Sequence, residues 1–275
     1  MSSTPAGAPG ITPRDLTFDV DPSRIGDWAG GDVARTTFFN AMSLLFPQGE
    51  RFFIISVGEF RERITDPRQI EEVKAFVAQE ALHTREHIAY NEALRGLVDV
   101  DRLDKKFADR IAFVRKWTPP LAHLAITCGL EHFTAILAHE VLERDFALGG
   151  AVPSYAQLWT WHALEECEHK AVAFDVFETV TSRKKEWMRR RIMMIVSFRF
   201  FRDIFINCYE IYKGLGIERS PKAWLALLWY LYGKPGVLRR IFIPYLKYFR
   251  RGFHPSQIDD SAERDRARSL IGAPA

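Results

Sequence analysis

The chain has 275 residues, which is long enough to bury a full core as one large domain or two small ones. Its apolar content of 47%, charged content of 27% and net charge of +3 are ordinary for a globular protein and exclude a disordered or collagen-like chain. The three cysteines (Cys128, Cys167 and Cys208) lie far apart without a CxxC pair, which excludes a disulfide framework or cysteine zinc site and indicates a reducing compartment.

The first 30 residues carry no pattern of regular structure. They begin "MSSTPAGAPGITPRD", without a basic stretch followed by an apolar one, so they are interpreted as a disordered leader and not as a signal peptide. The longest uncharged apolar stretches, such as Ala223–Gly233, are shorter than the roughly 20 residues that a membrane-spanning helix needs. A cytoplasmic protein is therefore expected.

Helix signals dominate the rest of the chain, and no segment shows the alternation of a strand. Prolines stand at expected helix starts, as in Thr65-Asp66-Pro67, where Asp66 caps the helix. The predicted helices are Asp32–Ile64 with an interruption at Phe46-Pro47, Pro67 to about Gly96, Asp101–Lys116, Thr118 to about Leu148, a helix capped by Ser154 that runs to about Thr181, Ser182–Lys213, Ser220–Tyr232 and Pro235–Arg251. This pattern predicts an all-α protein: a four-helix bundle over residues 31–181, additional C-terminal helices over 182–251 packed on it, and an extended tail over 252–275.

Two of the long predicted helices contain the sequence Glu-x-x-His. Glu80 and His83 form the first copy, and Glu166 and His169 form the second. Residues three apart lie on one helix face, so a carboxylate and an imidazole at this spacing can bind one ion from successive turns. His162, one turn before Glu166, lies on the same face as the second pair.

Two further glutamates interrupt apolar stretches of other predicted helices. Glu50 lies in "SLLFPQGERFFIISV" and Glu131 in "LAITCGLEHFTAIL". An isolated buried carboxylate is costly, and a metal cation offsets that cost. The order along the chain is a lone glutamate, Glu-x-x-His, a lone glutamate and Glu-x-x-His. This order predicts a site for two ions in which carboxylates bridge the ions and each ion also receives an imidazole. Oxygen and nitrogen ligands of this kind suit iron, with manganese as the alternative.

Several positions compete with these ligands, and a solvent-exposed polar helix face is the competing interpretation of the whole pattern. Glu59 is a rival of Glu50, but it begins a charged stretch. Glu165 is a rival of Glu166, because it lies four residues before His169. His87 and His162 are each interpreted as either an additional ligand or a hydrogen-bond partner of a ligand. Asp175 is interpreted as an acceptor for a ligand and not as a ligand itself.

Four stretches carry a resemblance to a known family: "FPQGERFF", "FVAQEALHTREHIAYN", "LEHFTAILA" and "LWTWHALEECEHKAVAFDV". Together they resemble the bacterial family of predicted metal-dependent hydrolases, over roughly residues 30–250. The resemblance implies a ferritin-like core. The order of the ligands is also similar to that of ferritin-like di-iron carboxylate enzymes. The histidine one turn before the last motif resembles the arylamine N-oxygenase branch of that group, in which the corresponding histidine is an extra iron ligand. That resemblance implies a ligand role for His162.

The C-terminal third differs from the rest in charge. Residues 181–251 contain 17 lysines and arginines against 4 acidic residues, and 15 of the 36 aromatic residues. Three interpretations remain open: helices that cover the bundle with arginine stems over apolar surface, attachment to an anionic membrane on its inner, cytoplasmic side, or walls of a tunnel for a long apolar substrate. Nucleic acid is not expected as a partner, because no recognised module is present. The exposed aromatic helices also suggest a homodimer.

The function expected from these patterns is an oxidoreductase with two iron ions. It would use dioxygen as a co-substrate and an external electron donor to oxidise a small or lipid-like organic substrate. The alternative is a metal-dependent hydrolase that uses a metal-bound hydroxide. A further alternative is a non-catalytic metal-binding protein at a membrane surface.

Overall fold

The structure, a computed structural model, describes residues 10–143, 145–181 and 186–271. These ranges contain α-helices joined by short loops, and the prediction of an all-α fold is confirmed for them. In chain order the helices are α1 (Val33–Ser43), α2 (Phe46–Gly58), α3 (Pro67–Leu94), α4 (Val100–Trp117), α5 (Pro120–Glu143), α6 (Asp145–Leu148), α7 (Pro153–His169), α8 (Val172–Val180), α9 (Glu186–Gly214), α10 (Pro221–Tyr232), α11 (Val237–Lys247) and α12 (Ser261–Leu270).

Most helix starts follow the expected chemistry. Asp32, Asp66 and Ser220 each accept a backbone N–H at the start of α1, α3 and α10. The interruption predicted at Phe46-Pro47 is the start of α2, where a proline at the first turn needs no N–H partner. Ser154 is not a cap as predicted: it lies inside α7, whose preceding residue Val152 makes no side-chain capping bond.

The core is built around α5, the most apolar of the long helices. Its 24 residues pack against α2, α7, α8, α9 and α11, and α2 also packs along α3. By length and composition α5 could cross a membrane, but 78% of that window is buried inside the protein, as in an ordinary core helix. The helix predicted to end at about Thr181 is divided in two, because the chain leaves helical hydrogen bonding between His169 and Val172 and then continues as α8.

The helices α9, α10 and α11 cover the side of the bundle formed by α1 and α5. α9 packs on both α1 and α5, α10 on α1, and α11 on α5 and α10. The ring of Phe133 on α5 stacks on Phe200 of α9 and on Tyr245 of α11, with centroids 5.1 and 5.4 Å apart. These helices therefore form a second layer over one flank of the bundle.

Both ends of the described chain differ from the expectation of disorder or extension. Residues 1–9 of the predicted leader lie outside the described residues, but residues 10–30 pack on the bundle: Trp28 is fully buried, and Arg14 is 8% exposed. The predicted extended tail contains α12, and the buried Asp260 before that helix pairs with Lys170 and Arg264. In both segments buried ion pairs hold the chain against the bundle. Ion pairs produce no periodic apolar pattern, so the sequence did not predict this packing.

Candidate metal centre

Ionisable side chains from four helices meet inside the bundle. α2 contributes Glu50, α3 contributes Glu80, His83 and His87, α5 contributes Glu131, and α7 contributes His162, Glu166 and His169. All are at most 4% exposed. The members of this cluster, called the donor cluster below, are Glu50, Glu80, His83, His87, Glu131, His162, Glu166 and His169. Every residue predicted as a metal ligand from the sequence is in it.

The donor atoms lie at separations that suit shared ions. His169 Nε2 lies 3.1 Å from Glu80 Oε1, 3.5 Å from Glu131 Oε2 and 3.6 Å from Glu166 Oε1. Glu166 Oε1 also lies 3.5 Å from His83 Nδ1 and 3.4 Å from His162 Nε2. Two atoms about 2.1 Å from one ion, at angles near 90–110°, are about 3.0–3.4 Å apart. The cluster thus has room for ions between its donors.

Many of these atoms have no hydrogen-bond partner among the described residues, although they are fully buried. They are both carboxylate oxygens of Glu50, Glu80 and Glu131, Oε2 of Glu166, and one ring nitrogen each of His83, His162 and His169. A buried polar atom without a partner costs about 1–3 kcal/mol. So many in one place, all of them metal-donor atoms, indicate a cationic ligand as the shared partner.

Glu165 sets the orientation of the His83 ring through the ring nitrogen that faces away from the cluster. His83 Nε2 donates to Glu165 Oε2 at 3.2 Å, which leaves Nδ1 facing the cluster. Glu165 in turn accepts from the backbone N–H of Arg14 (3.0 Å), from Arg14 Nη1 (3.2 Å) and from Trp161 Nε1 (3.1 Å). Glu165 therefore points away from the cluster, where Glu166 points into it. This is the carboxylate–histidine arrangement that orients ligand imidazoles.

The ring of His169 is oriented by an amide. His169 Nδ1 lies 2.9 Å from Gln79 Oε1, and Gln79 Nε2 donates to the carbonyl oxygen of Thr12 and to Glu168 Oε2, both at 3.2 Å. Those two acceptors fix which end of the amide is oxygen, so His169 must donate from Nδ1. Its Nε2 lone pair is thereby left for the cluster.

A chain of hydrogen bonds determines which ring nitrogen carries the proton in His87 and in His162. Asn91 Nδ2 donates to the carbonyl of Ser43, and the Ser43 hydroxyl donates to Asn91 Oδ1 at 2.8 Å. The Ser43 oxygen must then accept from His87 Nδ1 at 2.9 Å, and His87 Nε2 must accept from His162 Nδ1 at 3.1 Å. His87 has no lone pair left for an ion, and its contacts make it an orienting partner of His162, whose Nε2 faces Glu166.

The pKa values of the cluster's carboxyl groups are shifted in opposite directions. Burial raises the pKa of Glu50 and Glu131 well above the usual range, and the pKa of Glu80 also rises. Burial acts in the same direction on Glu166, but the neighbouring His169, His83 and His162 prevail and hold its pKa well below the usual value. Metal ions bind the deprotonated carboxylate, so protons compete with ions more strongly at Glu50, Glu80 and Glu131 than at Glu166.

The imidazoles of the cluster also fall into two groups, one with a raised pKa and one with a lowered pKa. Burial lowers the pKa of His83, but its hydrogen bonds to Glu165 and Glu166 outweigh that effect and raise it to about 10. The pKa of His169 is also raised well above the usual value, since Glu166 and Glu131 outweigh burial. For His87 and His162, burial and the neighbouring imidazoles lower the pKa well below 6.5. These two rings are neutral, as the hydrogen-bond chain requires.

The structure places the remaining candidates away from the cluster. Glu59 accepts a hydrogen bond from His123 near the surface, 3.1 Å away. Asp175 lies on α8 beyond the break after α7, and it pairs with His254 at 2.7 Å, not with a ligand of the cluster as the sequence suggested. His254, Asp175 and Glu178 form a separate, partly exposed group.

Sequence reasoning missed the residues that orient the imidazoles: Arg14, Ser43, Gln79 and Asn91. Gln79 immediately precedes Glu80, and Asn91 lies one turn after His87 on the same helix, so helical spacing could have suggested both. Arg14 and Ser43 reach the cluster from distant parts of the chain, and no local pattern marks them.

An apolar cavity of about 30 Å³ lies beside His162. It is large enough for one or two molecules the size of water or dioxygen. The ring of Phe46, which also lines the cavity, stacks on His162 with centroids 4.7 Å apart. Its walls come from α1, α2, α5, α7 and α9, through Phe39, Met42, Phe46, Thr134, Leu137, Ala138, Val141, Trp159, His162, Ala163 and Phe200.

Comparison with known proteins gives a family for the chain. The family model described as "Predicted metal-dependent hydrolase" matches residues 12–259, and the chain belongs to that family. No curated protein and no solved structure matches it. The match begins at residue 12 and so includes the segment with Arg14. The family description supports a metal-dependent enzyme, and it favours the hydrolytic alternative over the oxidation expected first from the sequence.

Proposed function

We propose that the donor cluster binds two metal ions and that the protein is an enzyme working with this pair. The observation that carries the proposal is the set of unpartnered, buried carboxylate oxygens and imidazole nitrogens that meet from four helices. The ligands are Glu50, Glu80, His83, Glu131, Glu166 and His169, with His162 as the seventh.

The contacts suggest how the donors divide between the ions. One group of mutually close donors consists of Glu50, Glu80 and His83, and another of Glu80, Glu131 and His169. Glu80 belongs to both groups, and Glu166 Oε1 lies within 3.6 Å of His83 Nδ1 and His169 Nε2. Glu80 and Glu166 are therefore the carboxylates placed to be shared between two ions, if the donor cluster holds a pair as the ferritin-like carboxylate proteins do.

The donor chemistry favours iron, with manganese as the alternative. The set contains oxygen and nitrogen donors and no thiolate, which suits ions that prefer carboxylate and imidazole. When bound, such a pair supplies redox chemistry with dioxygen. The chain contributes an apolar cavity beside His162, lined by Phe46 and Phe200, with a volume that suits a molecule the size of dioxygen. Oxidation of a small or lipid-like organic substrate, with electrons from an external donor, is the function that this geometry supports best.

Hydrolysis is the second candidate, and the family description favours it. A divalent ion lowers the pKa of a bound water and so supplies a nucleophile for an ester or amide without any change of oxidation state. The same donors would serve, because zinc also accepts imidazole and carboxylate ligands.

One experiment separates the two reactions. Metal-free protein would be loaded with Fe(II) without oxygen, or with Zn(II), and then tested for oxygen uptake with a reductant and for cleavage of a panel of acyl esters. Oxidation predicts oxygen uptake by the iron form alone, lost in the Glu131→Ala, Glu166→Ala double variant. Ester cleavage by the zinc form that is lost in the same variant would establish hydrolysis instead. Uptake or cleavage that survives in the double variant would contradict the site itself.

A further inference from the structure

The outward side of α9, α10 and α11 carries many exposed apolar side chains. Phe198 on α9 is 69% exposed and Trp229 on α10 is 62% exposed, although both are large enough to be expected in a core. The exposed apolar residues of this surface, called the outer face below, are Trp187, Met194, Ile195, Phe198, Tyr209, Leu225, Leu228, Trp229, Tyr232, Phe242, Ile243 and Leu246. Clustering of this kind marks an interaction surface.

Basic side chains alternate with these apolar ones. On α9 the exposed positions recur about every turn, and Arg191, Arg199 and Arg202 lie on the same stripe as Trp187 and Phe198. On α10 and α11 the exposed basic residues are Lys222, Arg239 and Lys247. Arg191, Arg199 and Lys247 form no ion pair with any described residue.

Acidic side chains are missing from this exposed surface. Between residues 186 and 251 the acidic residues are Glu186, Asp203, Glu210 and Glu218, and each is buried or half-buried. All four are paired with arginines: Glu186 with Arg190, Asp203 with Arg110, Glu210 with Arg102 and Glu218 with Arg219. The outer face therefore presents positive charge and apolar surface together, with no exposed acidic side chain.

We infer that the outer face docks on an anionic lipid membrane, with its aromatic and aliphatic side chains inserted between headgroups and its arginines against lipid phosphates. Helices lying in the membrane interface combine these same two features. Each basic residue near an anionic bilayer contributes attraction, and long arginine side chains reach the phosphates while their stems stay apolar.

Two other occupants fit the charges less well. A symmetric dimer through the outer face would bring two positive surfaces together, and the described residues of α9, α10 and α11 include no exposed acidic side chain to pair with the arginines. Nucleic acid would match the positive charge, but binding to its phosphates gives no role to exposed Met194, Ile195 or Ile243.

Vesicle co-sedimentation with the full chain tests the inference. The probes are phosphatidylcholine vesicles with and without about one third phosphatidylglycerol. We expect binding to the anionic vesicles that weakens with salt, and much weaker binding to the neutral ones. The variant Arg191→Gln, Arg199→Gln should bind about 25-fold more weakly, at about fivefold for each basic residue removed. The control Arg51→Gln, Arg61→Gln loses the same charge from exposed positions elsewhere and should bind like the wild type.

Apolar variants test insertion separately from charge. Phe198→Ser with Trp229→Ser should lower vesicle binding at least tenfold. The matched control is Phe113→Ser with Trp117→Ser, since these two side chains on α4 are equally exposed, at 65% and 66%, and it should change nothing. The inference would be overturned if the test pair and the control pair lost binding equally, or if the protein did not bind vesicles at low salt. It would also be overturned if the wild type formed a dimer that dissociates in the Phe198→Ser, Trp229→Ser variant and bound no vesicles. Binding to DNA or RNA in the absence of vesicle binding would overturn it as well. None of these outcomes depends on metal content, so they leave the proposed function untouched.

Discussion

The donor cluster and the outer face both reverse the usual distribution of side chains. The cluster places four carboxyl groups and four imidazoles in the core, whereas the outer face exposes phenylalanine and tryptophan to solvent. In each region the unusual residues share one chemistry: metal donors inside, and apolar groups with cations outside. A set of misplaced residues with a common chemistry points to a partner of complementary chemistry.

The two regions differ in how firmly their side chains are held. Each imidazole proposed as a ligand is oriented by a hydrogen-bond partner, and those partners, Glu165, Gln79 and His87, are themselves hydrogen-bonded. On the outer face, the side chain of Arg199 has no hydrogen bond or ion pair to another residue in the part of the chain that the structure describes, and Phe198 is 69% exposed. A rigid site suits a small ion with strict geometry, whereas a fluid bilayer requires only exposed apolar and basic groups.

The largest effect is expected from removing a carboxylate that only an ion would satisfy. Glu131→Leu should abolish the stabilisation by metal, which is about 4 kcal/mol when the ion is present at a thousandfold excess over its dissociation constant. The metal-free variant should be as stable as the metal-free wild type or more stable, because a buried, unpartnered carboxyl group is gone. Thermal unfolding with and without chelator measures both. A metal-free variant that is much less stable than metal-free wild type would contradict the assignment.

Next in size is the contrast between the two sides of α9. Phe200→Ala should lower the free energy of unfolding by about 3 kcal/mol, because Phe200 is 8% exposed and stacks on Phe133. Phe198→Ala, two residues away and 69% exposed, should change it by less than about 0.5 kcal/mol. Urea unfolding of both variants makes the comparison. A comparable loss in Phe198→Ala would show that the outer face is part of the folded core.

A smaller effect is expected from the arginine behind His83. Arg14→Ala removes the donors that hold Glu165, and we expect metal affinity to fall about 10- to 100-fold. Arg85→Ala is the control: it breaks ion pairs to Asp15 and Glu86 near the same segment but none to Glu165. Competition with a metal-binding dye gives both affinities. Equal losses in the two variants would mean that the segment matters only for folding.

The smallest effect concerns the surface group of Asp175, Glu178 and His254, whose donor types match those of the cluster. The hydrogen bond to Asp175 raises the pKa of His254 above 6.5 despite partial burial, so the stabilisation is fully present below about pH 6.5 and is lost as pH rises through the folded-state pKa. We expect His254→Gln to cost less than about 1 kcal/mol at pH 6, and we expect this cost to fall as the pH rises through the folded-state pKa of His254. A pH-independent difference in urea unfolding would contradict this. The group should bind no metal, because its imidazole is already hydrogen-bonded on both sides.

The meeting of the donor-cluster residues was predictable because spacing along a helix determines the direction in which each side chain points. Once Glu80 and His83 are three residues apart on a helix, they share a face, and glutamates in apolar helices such as Glu131 must face something that offsets their charge. Spacing also distinguished Glu166 from Glu165, although it could not show that Glu165 would orient His83.

Other features depend on contacts between distant segments and were not predictable. Residues 10–30 look like a leader because they have no periodicity, yet Arg14 is fixed by Glu165 and Glu168 on α7. The break between α7 and α8 falls at Lys170-Ala171, where no proline or glycine marks it. α12 has a charged, polar sequence, and its buried Arg264 pairs with Asp260, one turn earlier in the sequence.

Metal content is the most direct test of the donor cluster. The purified wild-type protein and the Glu131→Ala, Glu166→Ala double variant would be analysed by elemental mass spectrometry after growth in metal-supplemented medium, with circular dichroism to verify the fold of both. Two ions per chain in the wild type, chiefly iron or manganese, and almost none in the folded variant are expected. A folded wild-type protein that takes up no metal even when Fe(II), Mn(II) or Zn(II) is added, or a variant that retains the full content, would contradict a metal site made of these side chains.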